Sequence, residues 1–490
     1  MSPGTDRPAA SGGLRPERVP EGPPRDVAWS AGAALVALTL VAAISSGVPG
    51  SGTEEGRADP APAPSPAPAD VPQRSPALTP VIESNFPDPD VLAAGGGFYA
   101  YATNDSGRNV PVATASAPAG PWTRLDVDAL PALGRWAEGG HTWAPDVVAR
   151  PDGRYVLYYT ARRRGGQAQC IGAAVAVSPV GPFRPRPEAL VCPWRKNGGA
   201  IDPAAFTDTD GARYLLFKSD GYRTGRPSAI YLLRLTADGE RPAGVPRRIL
   251  VWNPRAEPTL IEAPALVRRG GRYVLFYAGG VFFDDSYRTG YATAPTVAGP
   301  YVRSGRPLLS TTGYTGRVRG PGGADVFSDG TDDHLVFHGI LEQQGPEQVR
   351  RGMFVARLGW AGARPVVRGS AARYEAEQGR VHAARVLGDR AQASGGAIVG
   401  HLDHPDSWVE LDVYAPGAGE YEIRVRYANR GTGPAMHELA VNGAPAAMLR
   451  YPEPGDWRAL SVRVPLRVGW NTLRLRHHTG FAEIDHLEVG

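Results

Sequence analysis

The stretch GRYVLYYT, residues 153–160, returns four more times in altered form and decides the fold. The other copies are GGFYAYAT (96–103), ARYLLFKS (212–219), GRYVLFYA (271–278) and DHLVFHG (333–339). Each is apolar or alternating, contains aromatic or β-branched residues, and follows a turn of Gly or Asp residues, which is typical of a strand. The tyrosines of the first four copies lie 56, 59 and 59 residues apart, so the chain is built from units of constant length.

A second element follows three of these strands. It reads SAPAGPW (116–122), SPVGPF (178–183) and APTVAGPY (294–301), a tight Pro/Gly turn that ends on an aromatic residue. Units of about 58 residues that hold about four short strands are typical of propeller blades. The sequence therefore predicts an all-β chain with a five-bladed β-propeller over residues 78–368, followed by a second domain.

Each unit also carries a short motif about ten residues before its aromatic strand, where a propeller places the strand that lines the central channel. The five copies begin Asp88-Pro89-Asp90, Ala144-Pro145-Asp146, Asp202-Pro203-Ala204, Ala263-Pro264-Ala265 and Gly323-Ala324-Asp325. Asp90, Asp146 and Asp325 repeat in one position, which favours a structural role such as accepting backbone N–H groups.

Three other acids break the repeat. Asp88 and Asp202 occupy a different position of the motif, and Glu262 lies one residue before it. A single active site on a pseudo-symmetric axis requires such exceptions. Three carboxylates in one pocket suit glycoside hydrolysis, because one must be ionised, one must stay protonated, and a third can hold the proton on the second by repulsion.

At these residues the sequence resembles glycoside hydrolase family 43. The segments that carry the resemblance are NFPDPDV (85–91), HTWAPDV (141–147), AIDPAAFTDTDGARYLLF (200–217) and IEAPALVRRGGRYVLFYA (261–278). The resemblance implies that Asp88 is the general base, Glu262 the general acid, Asp202 the modulator of its pKa, and Trp143 a sugar-binding residue. It also implies inversion at the anomeric carbon.

The implied substrate is an arabinose- or xylose-containing polysaccharide. An α-L-arabinofuranosidase or arabinanase is favoured, with a β-xylosidase or galactanase of the same family as the alternative. A propeller that only binds glycans remains the rival from another class. His141, beside the Trp motif, is a candidate for substrate contact, and Phe282, Phe283 and Tyr287 are candidates for lining the pocket.

One departure from the family concerns the fifth blade. Many members have Gly-Pro-Gly-His there, with the His near an axial calcium ion, whereas this chain has Gly320-Pro321-Gly322-Gly323. We therefore expect no calcium on the axis and no cofactor for catalysis.

The pattern changes at residue 371. Alternating strands such as GEYEIRVRYAN (419–429) and WNTLRLRH (470–477) predict a β-sandwich or jelly roll over residues 371–490. The order of its motifs resembles carbohydrate-binding modules of families 35 and 6. That resemblance implies a structural Ca²⁺ held by Glu375, Glu377 and Asp485, and a sugar-stacking role for Trp457.

The N-terminal region reads as a targeting segment. Residues 1–48 hold an Arg-containing start and an uncharged stretch rich in Ala, Val and Leu, which fits a cleaved signal peptide or a single membrane anchor. Residues 49–77 read as an extended Pro/Ala linker. We expect export, either as a secreted protein or anchored at the outer face of the cell membrane.

Export makes a disulfide between Cys170 and Cys192 plausible, with two buried thiols as the alternative. The net charge is only +4 over 490 residues, and the Arg residues are scattered, so no nucleic acid partner is expected. We expect a monomer whose partner is a polysaccharide or oligosaccharide.

Overall fold

The computed structural model describes residues 78–490 except 193–197, 221–223, 315, 346–347, 368–371 and 391. The predicted targeting segment and linker lie outside these residues. The described residues fall in one compact unit, which contains strands and no α-helix. Nowhere in the described ranges is there a helix with the length and apolar character of a membrane span.

The first twenty strands form five antiparallel four-stranded sheets, each with its strands in chain order, which are the blades of a propeller. Blade 1 has β1 (Asp90–Ala94), β2 (Gly97–Tyr101), β3 (Pro111–Ala115) and β4 (Thr123–Asp128). Blade 2 has β5 (Ala137–Ala149), β6 (Tyr155–Arg163), β7 (Gln169–Ala176) and β8 (Arg184–Pro185). Blade 3 has β9 (Ala200–Thr207), β10 (Arg213–Ser219), β11 (Ala229–Arg234) and β12 (Arg247–Val251).

Blade 4 has β13 (Ile261–Arg269), β14 (Arg272–Gly279), β15 (Arg288–Ala294) and β16 (Val302–Arg303). Blade 5 has β17 (Arg319–Ser328), β18 (Asp333–Gly345), β19 (Gln348–Ala361) and β20 (Arg364–Val367). The first strands of neighbouring blades contact one another around the ring, including β1 with β17. The predicted five-bladed propeller is therefore confirmed.

The repeated aromatic strands are the second strands of the blades, and they pack one blade on the next. Phe206 of blade 3 meets Tyr273 of blade 4 edge to face at 6.0 Å. Phe98 of blade 1 meets Phe327 of blade 5 in the same way at 5.7 Å. Aromatic side chains bury a large apolar area in such contacts, which explains why every unit repeats them.

The ring closes between the N-terminal segment and blade 5. The Val81 backbone N–H donates to the Met353 carbonyl at 2.7 Å, and the Phe86 N–H donates to the Arg351 carbonyl at 2.7 Å. The start of the propeller thus pairs with β19, which brings Asp88 of blade 1 beside Arg351 of blade 5.

The remaining strands form the predicted β-sandwich. They are β21 (Ala372–Glu375), β22 (Arg380–His382), β23 (Arg385–Leu387), β24 (Ile398–Gly400), β25 (Trp408–Ala415), β26 (Gly419–Asn429), β27 (Ala435–Val441), β28 (Ala444–Tyr451), β29 (Arg458–Leu466), β30 (Gly469–Thr479) and β31 (Ala482–Val489), with a 3-10 turn at Ala376–Gln378. One sheet has the order β23-β24-β31-β26-β29 with β21 beside β31, and the other has the order β22-β25-β30-β27-β28. Their inward side chains form one apolar core.

The module contacts the outer strands of the propeller. Arg306 forms an ion pair with Glu488 of the module at 3.1 Å. The Arg364 guanidinium lies 4.5 Å from the Tyr374 ring centroid and donates to the Arg373 carbonyl. Burial opposes ionisation of Glu488, but bonds from His486 and Arg373 and the nearby Arg306 lower its pKa, so this carboxylate stays charged at the junction.

The disulfide between Cys170 and Cys192 is present, which confirms that prediction. Cys170 lies in β7, and the segment that ends at Cys192 is held against β7 by hydrogen bonds between Ile171 and Val191. The cross-link therefore fastens the chain between blades 2 and 3 to the outer half of blade 2.

Replacing both cysteines by Ala should lower the free energy of unfolding by about 3 kcal/mol, because a link across 22 residues restricts the unfolded chain. Urea unfolding of the oxidised protein and the double variant measures the difference. Alkylation and mass spectrometry of the native protein should find no free thiol. Equal unfolding midpoints would contradict the expectation.

Candidate active site

Every inner strand has the same backbone kink at the first residue of the repeated motif. This residue has a positive φ in all five blades, a conformation that non-glycine residues rarely adopt. The values are 52° at Asp88, 42° at Ala144, 55° at Asp202, 49° at Ala263 and 59° at Gly323. We call this position the kink position. The alignment drawn from the sequence is therefore the alignment of the folded blades.

Side chains of the preceding blade hold the kinks in place. Thr103 Oγ1 accepts the N–H of Ala144 at 2.9 Å, and Thr160 Oγ1 accepts that of Asp202 at 3.1 Å. His338 Nδ1 accepts the N–H of Asp88 at 3.1 Å. These three kinks are thus stabilised from the preceding blade, and this part of the channel wall depends on the ring being closed.

The repeated aspartates bond to backbone, as the sequence predicts. Asp90 Oδ2 accepts the N–H of Val147 at 2.8 Å, and Asp146 Oδ2 accepts that of Ala205 at 3.1 Å. Burial raises the pKa of both carboxyls well above the usual value. Asp325 is likewise buried, and burial raises its pKa to about 6. These groups link blades around the axis.

Asp88 occupies the kink position of blade 1 among groups that favour its ionised form. Arg351 donates to Oδ1 at 3.0 Å, and the Thr103 hydroxyl donates to Oδ2 at 2.6 Å. Burial alone would raise the pKa of Asp88, but the Arg351 cation, His338 and these hydrogen bonds together hold it below the usual value. Asp88 is therefore a carboxylate over the whole neutral range.

Glu262 lies one residue before the kink position of blade 4. Lys218 Nζ donates to its Oε2 at 2.8 Å, and the Tyr287 hydroxyl donates to its Oε1 at 2.8 Å. Its side chain is 12% exposed and that of Asp88 is 20% exposed, so both remain accessible from the channel.

Asp202, in the kink position of blade 3, interacts with both of these acids. Its Oδ2 accepts the N–H of Ala263 at 2.9 Å, next to Glu262. Burial, followed by the negative charge of Glu262, raises the pKa of Asp202 to about 7, although Lys218 opposes this. Asp202 therefore keeps a proton close to neutral pH. The structure thus brings the three predicted catalytic acids into one electrostatic unit.

Tyr287 connects the two sides of the site. Its ring stacks on that of His338 with centroids 5.5 Å apart and planes 8° apart, and its hydroxyl reaches Glu262. Both rings are buried. Tyr287 therefore does more than line a pocket, because it contacts both Glu262 and His338, the residue that accepts the backbone N–H of Asp88.

These rings also explain the Gly322-Gly323 pair of blade 5. A Cβ on Gly322 would overlap the Tyr287 ring, and a Cβ on Gly323 would lie 2.8 Å from His338 Nδ1. The imidazole of His338 thus fills the space beside Asp88 that a side chain at 323 would need. The departure from the Gly-Pro-Gly-His pattern follows from this packing.

The predicted substrate-binding residues lie on the inner strand of blade 2. Trp143 pairs with Thr160 one residue before the kink position, the position that Glu262 has in blade 4. His141 is two residues away on the same side of the strand, and its ring meets Trp143 edge to face at 5.8 Å. Both are half-buried, which fits side chains at a channel wall.

Phe282 also belongs to the surroundings of the site. The Arg351 guanidinium lies 4.7 Å from its ring centroid. Its neighbour Phe283 accepts a hydrogen bond from Gln343 at its carbonyl, so the loop after β14 is tied to the long hairpin of blade 5. This contact closes one side of the site around Arg351 and Asp88.

Four residues that contact the predicted catalytic acids were missed by the sequence analysis: Thr103, Lys218, His338 and Arg351. Lys218 had a usable signal, because it is a charged residue in an otherwise apolar repeat of a chain with two lysines. His338 stands in the equivalent part of DHLVFHG. Arg351 had no signal, since it follows Asp88 by 263 residues and lies in a third strand.

Glu257, near Glu262 in sequence, is a structural residue. It is 2% exposed and pairs with Arg303 at 2.6 Å, while the Tyr277 hydroxyl donates to it at 2.9 Å. These bonds fasten the loop before β13. The contacts of Glu257 give it no share in the channel.

In the module, the predicted calcium ligands converge. Oxygens of Glu375 and Asp485 and a ring nitrogen of His486 all lie within 4.8 Å of one another. Glu377 Oε2 is buried without a hydrogen-bond partner, and Gly395 approaches Glu377 so closely that a Cβ would overlap it. An unsatisfied buried carboxylate oxygen beside two further acids fits a hard cation such as Ca²⁺. Arg426 also pairs with Asp485.

Trp457 is half-buried on the same module. The guanidinium groups of Arg426 and Arg430 lie 5.1 and 5.9 Å from its ring centroid. It is therefore not a core residue of the sandwich. The ring lies near the acid cluster because Arg426 contacts both.

A five-bladed propeller with three interacting carboxyl groups on its channel defines a glycoside hydrolase. The chain belongs to the glycosyl hydrolases family 43, whose model matches residues 77–363. The model of the family 35 carbohydrate-binding modules matches residues 372–490. The protein is therefore a glycosidase with a carbohydrate-binding module, which excludes the propeller that only binds glycans.

Relatives and solved structures agree with this assignment. The extracellular exo-alpha-(1->5)-L-arabinofuranosidase ArbA of Cellvibrio japonicus is 28% identical over 247 residues, which are 46% of this chain and 68% of that protein. The extracellular endo-alpha-(1->5)-L-arabinanase 1 of Bacillus subtilis is 27% identical over 259 residues, which are 49% of this chain and 76% of that protein. The crystal structure of a thermostable family-43 glycoside hydrolase superposes with a TM-score of 0.52 at 25% identity, over 58% of this chain and 93% of that one.

Gly322→Ala should lower kcat/KM for an aryl glycoside by about 100-fold, because the new methyl group displaces Tyr287 and so disturbs Glu262. Gly166→Ala is the control, since its Cβ would meet only the Arg163 carbonyl at 3.8 Å. Full activity of a correctly folded Gly322→Ala variant would show that the Tyr287 contact is dispensable.

Proposed function

We propose that this glycosidase cleaves α-L-arabinofuranosyl linkages of arabinose-containing polysaccharide with inversion, as an arabinofuranosidase or arabinanase. The observation that carries the reaction type is the contrast between carboxyl groups in one channel. Arg351 favours the ionised form of Asp88, whereas burial and the negative charge of Glu262 favour a proton on Asp202, which lies beside Glu262. Glycoside hydrolysis by inversion needs one group of each kind.

The choice of sugar rests on the relatives. Two of them are named as an exo-alpha-(1->5)-L-arabinofuranosidase and an endo-alpha-(1->5)-L-arabinanase. Trp143 and His141 supply a flat aromatic surface and a polar ring on the channel wall, which suits stacking and hydrogen bonding to a sugar. A β-xylosidase or galactanase activity is the alternative that a substrate panel tests.

In the proposed mechanism, Asp88 takes a proton from water as the water attacks the anomeric carbon. Glu262 donates its proton to the leaving oxygen, so the bond from that oxygen to the anomeric carbon breaks as the new bond forms. Asp202 keeps the proton on the pair until the substrate oxygen arrives, because two adjacent carboxylates repel each other. The products are a free sugar of inverted configuration and the shortened chain.

Asp88→Asn should slow hydrolysis of every substrate by about 10²–10⁴-fold, because no other group activates the water. Glu262→Gln should be equally damaging on an arabino-oligosaccharide and much less damaging on a 4-nitrophenyl glycoside, whose leaving group needs no proton. Steady-state kinetics on both substrates measures the difference.

Glu257→Gln serves as the matched control for the loss of a buried carboxylate, since Glu257 lies outside the channel. Proton NMR of the first-formed sugar reports the configuration. Retained configuration, or an Asp88→Asn variant with near-normal activity, would refute the assignment of roles.

For the module, we infer carbohydrate binding supported by one structural Ca²⁺. Glu375, Glu377 and Asp485 would hold the ion, since oxygens of Glu375 and Asp485 converge. Glu377 lies near enough to both for their charges to interact, and its Oε2 has no hydrogen-bond partner. When bound, the ion would offset repulsion among these acids and join the start of the module to its last strand. Trp457 is the proposed sugar-stacking residue, because its ring is half-exposed.

Calcium at a hundredfold excess over its Kd should stabilise the protein by about 2.7 kcal/mol relative to chelator. Glu377→Gln should lose most of this gain, whereas Glu453→Gln should keep it, because Glu453 is an exposed acid of the same module. Thermal melts with calcium and with chelator measure both. Identical melts of the native protein in the two buffers would contradict the site.

We also infer that the protein acts outside the cell. The disulfide between Cys170 and Cys192 suits an oxidising compartment, and both relatives described above are named as extracellular. An extracellular location places the enzyme and its carbohydrate-binding module where polysaccharide is found.

A further inference from the structure

One position of the second strands has a different role in different blades. It lies opposite the residue that precedes each kink, and we call it the second-strand position. Its five occupants are Thr103, Thr160, Lys218, Ala278 and His338. In blades 1, 2 and 5 the occupant accepts the backbone N–H of the kink residue of the next blade.

Lys218 cannot do this, because an ammonium group only donates hydrogen bonds. The N–H of Ala263, which an acceptor at residue 218 would have bound, is taken by Asp202 instead, at 2.9 Å. The hydrogen bond between blades 3 and 4 therefore forms without Lys218. A buried cation at a position where a Thr would serve the structure calls for another explanation, since burying an ammonium group is costly.

The surroundings of Lys218 supply that explanation. The side chain is 2% exposed, and its Nζ lies 2.8 Å from Glu262 Oε2 and 3.8 Å from Asp220 Oδ1. Burial alone would lower the pKa of Lys218, but Glu262, Asp202 and Asp220 raise it, so the group stays charged. With Tyr287 on the other oxygen, both oxygens of Glu262 have a donor in a defined direction.

Other titratable and charged groups face this cluster. Asp88, with Arg351 and His338 around it, lies on the base side, and the negative charge of Asp88 reaches both Asp202 and Tyr287. Lys218 is thus the cation on the acid side, as Arg351 is on the base side.

We propose that Lys218 is a positioning residue for the general acid: it orients the Glu262 carboxyl and sets the highest pH at which Glu262 still donates a proton. This inference rests on the proposed function, because it takes Glu262 as the acid. The positive charge of Lys218 stabilises a negative charge on Glu262, whereas a negative charge on Asp202 destabilises it. The balance of the two decides the alkaline limit of activity.

The test is the pH dependence of kcat/KM for paired variants. Lys218→Met removes the cation, so the acid should keep its proton to higher pH, and the alkaline limb should move up by about one unit or more. Asp202→Asn removes the neighbouring anion, so the limb should move down. Lys218→Arg keeps the charge and should leave the limb close to its original place.

Comparing substrates with different leaving groups distinguishes a role of Lys218 in acid catalysis from a merely structural role. Lys218→Met should lose about tenfold or more on an arabino-oligosaccharide and much less on a 4-nitrophenyl glycoside, because only the first needs the acid. In a Glu262→Gln background, adding Lys218→Met should cost little further, since the two residues act as one unit. Arg303→Met is the control: it breaks the buried pair with Glu257 and should lower the melting temperature without moving the pH profile.

The outcomes separate this inference from the proposed function. If Glu262→Gln harms both substrates equally, the acid assignment fails. If Glu262→Gln depends on the leaving group but the alkaline limb of Lys218→Met stays in place or moves down, only the role of Lys218 is overturned. If Lys218→Met does not fold, Lys218→Gln puts a neutral amide in the same space and decides the same question.

Discussion

The constraint on which the rest of the site depends is the left-handed residue in each inner strand. Five such kinks surround one axis, and four of the five residues are not glycine. A positive φ costs a non-glycine residue free energy, so it persists only where the surroundings hold it. Here the holding groups come from the preceding blade, as with Thr103 and Ala144. The geometry of the channel is therefore a property of the closed ring and not of any one blade.

Closure of the ring also assembles the surroundings of Asp88. Asp88 begins the first blade, while His338 and Arg351 come from the last, so their contact exists only when the N-terminal segment pairs with β19. Pairing the ends of the propeller thus has a functional consequence. Loosening of this seam would separate Asp88 from Arg351, whereas Asp202 and Glu262 lie in blades 3 and 4, away from the seam.

Much of the architecture could be predicted, because it repeats. The aromatic strand around Tyr155 and its copies marked the blades, and the register of the Asp-Pro motifs separated Asp90 from Asp88 correctly. Residues such as Arg351 could not be predicted, because their importance comes from a contact across 263 residues. Gly323 is a departure from a family pattern, and only the packing of His338 against it gives the reason.

The charges of the site divide in a way that follows from burial. Three buried or partly buried carboxyl groups in one channel cannot all be ionised without partners, since burial penalises each charge. Arg351 and Lys218 supply two cations, one to Asp88 and one to Glu262. The third carboxyl, Asp202, is left with a pKa raised to about 7 by burial and by Glu262. Two cations therefore face three carboxyl groups, so one of the three keeps a proton near neutral pH, and the proposed mechanism needs such a proton for the departing sugar oxygen.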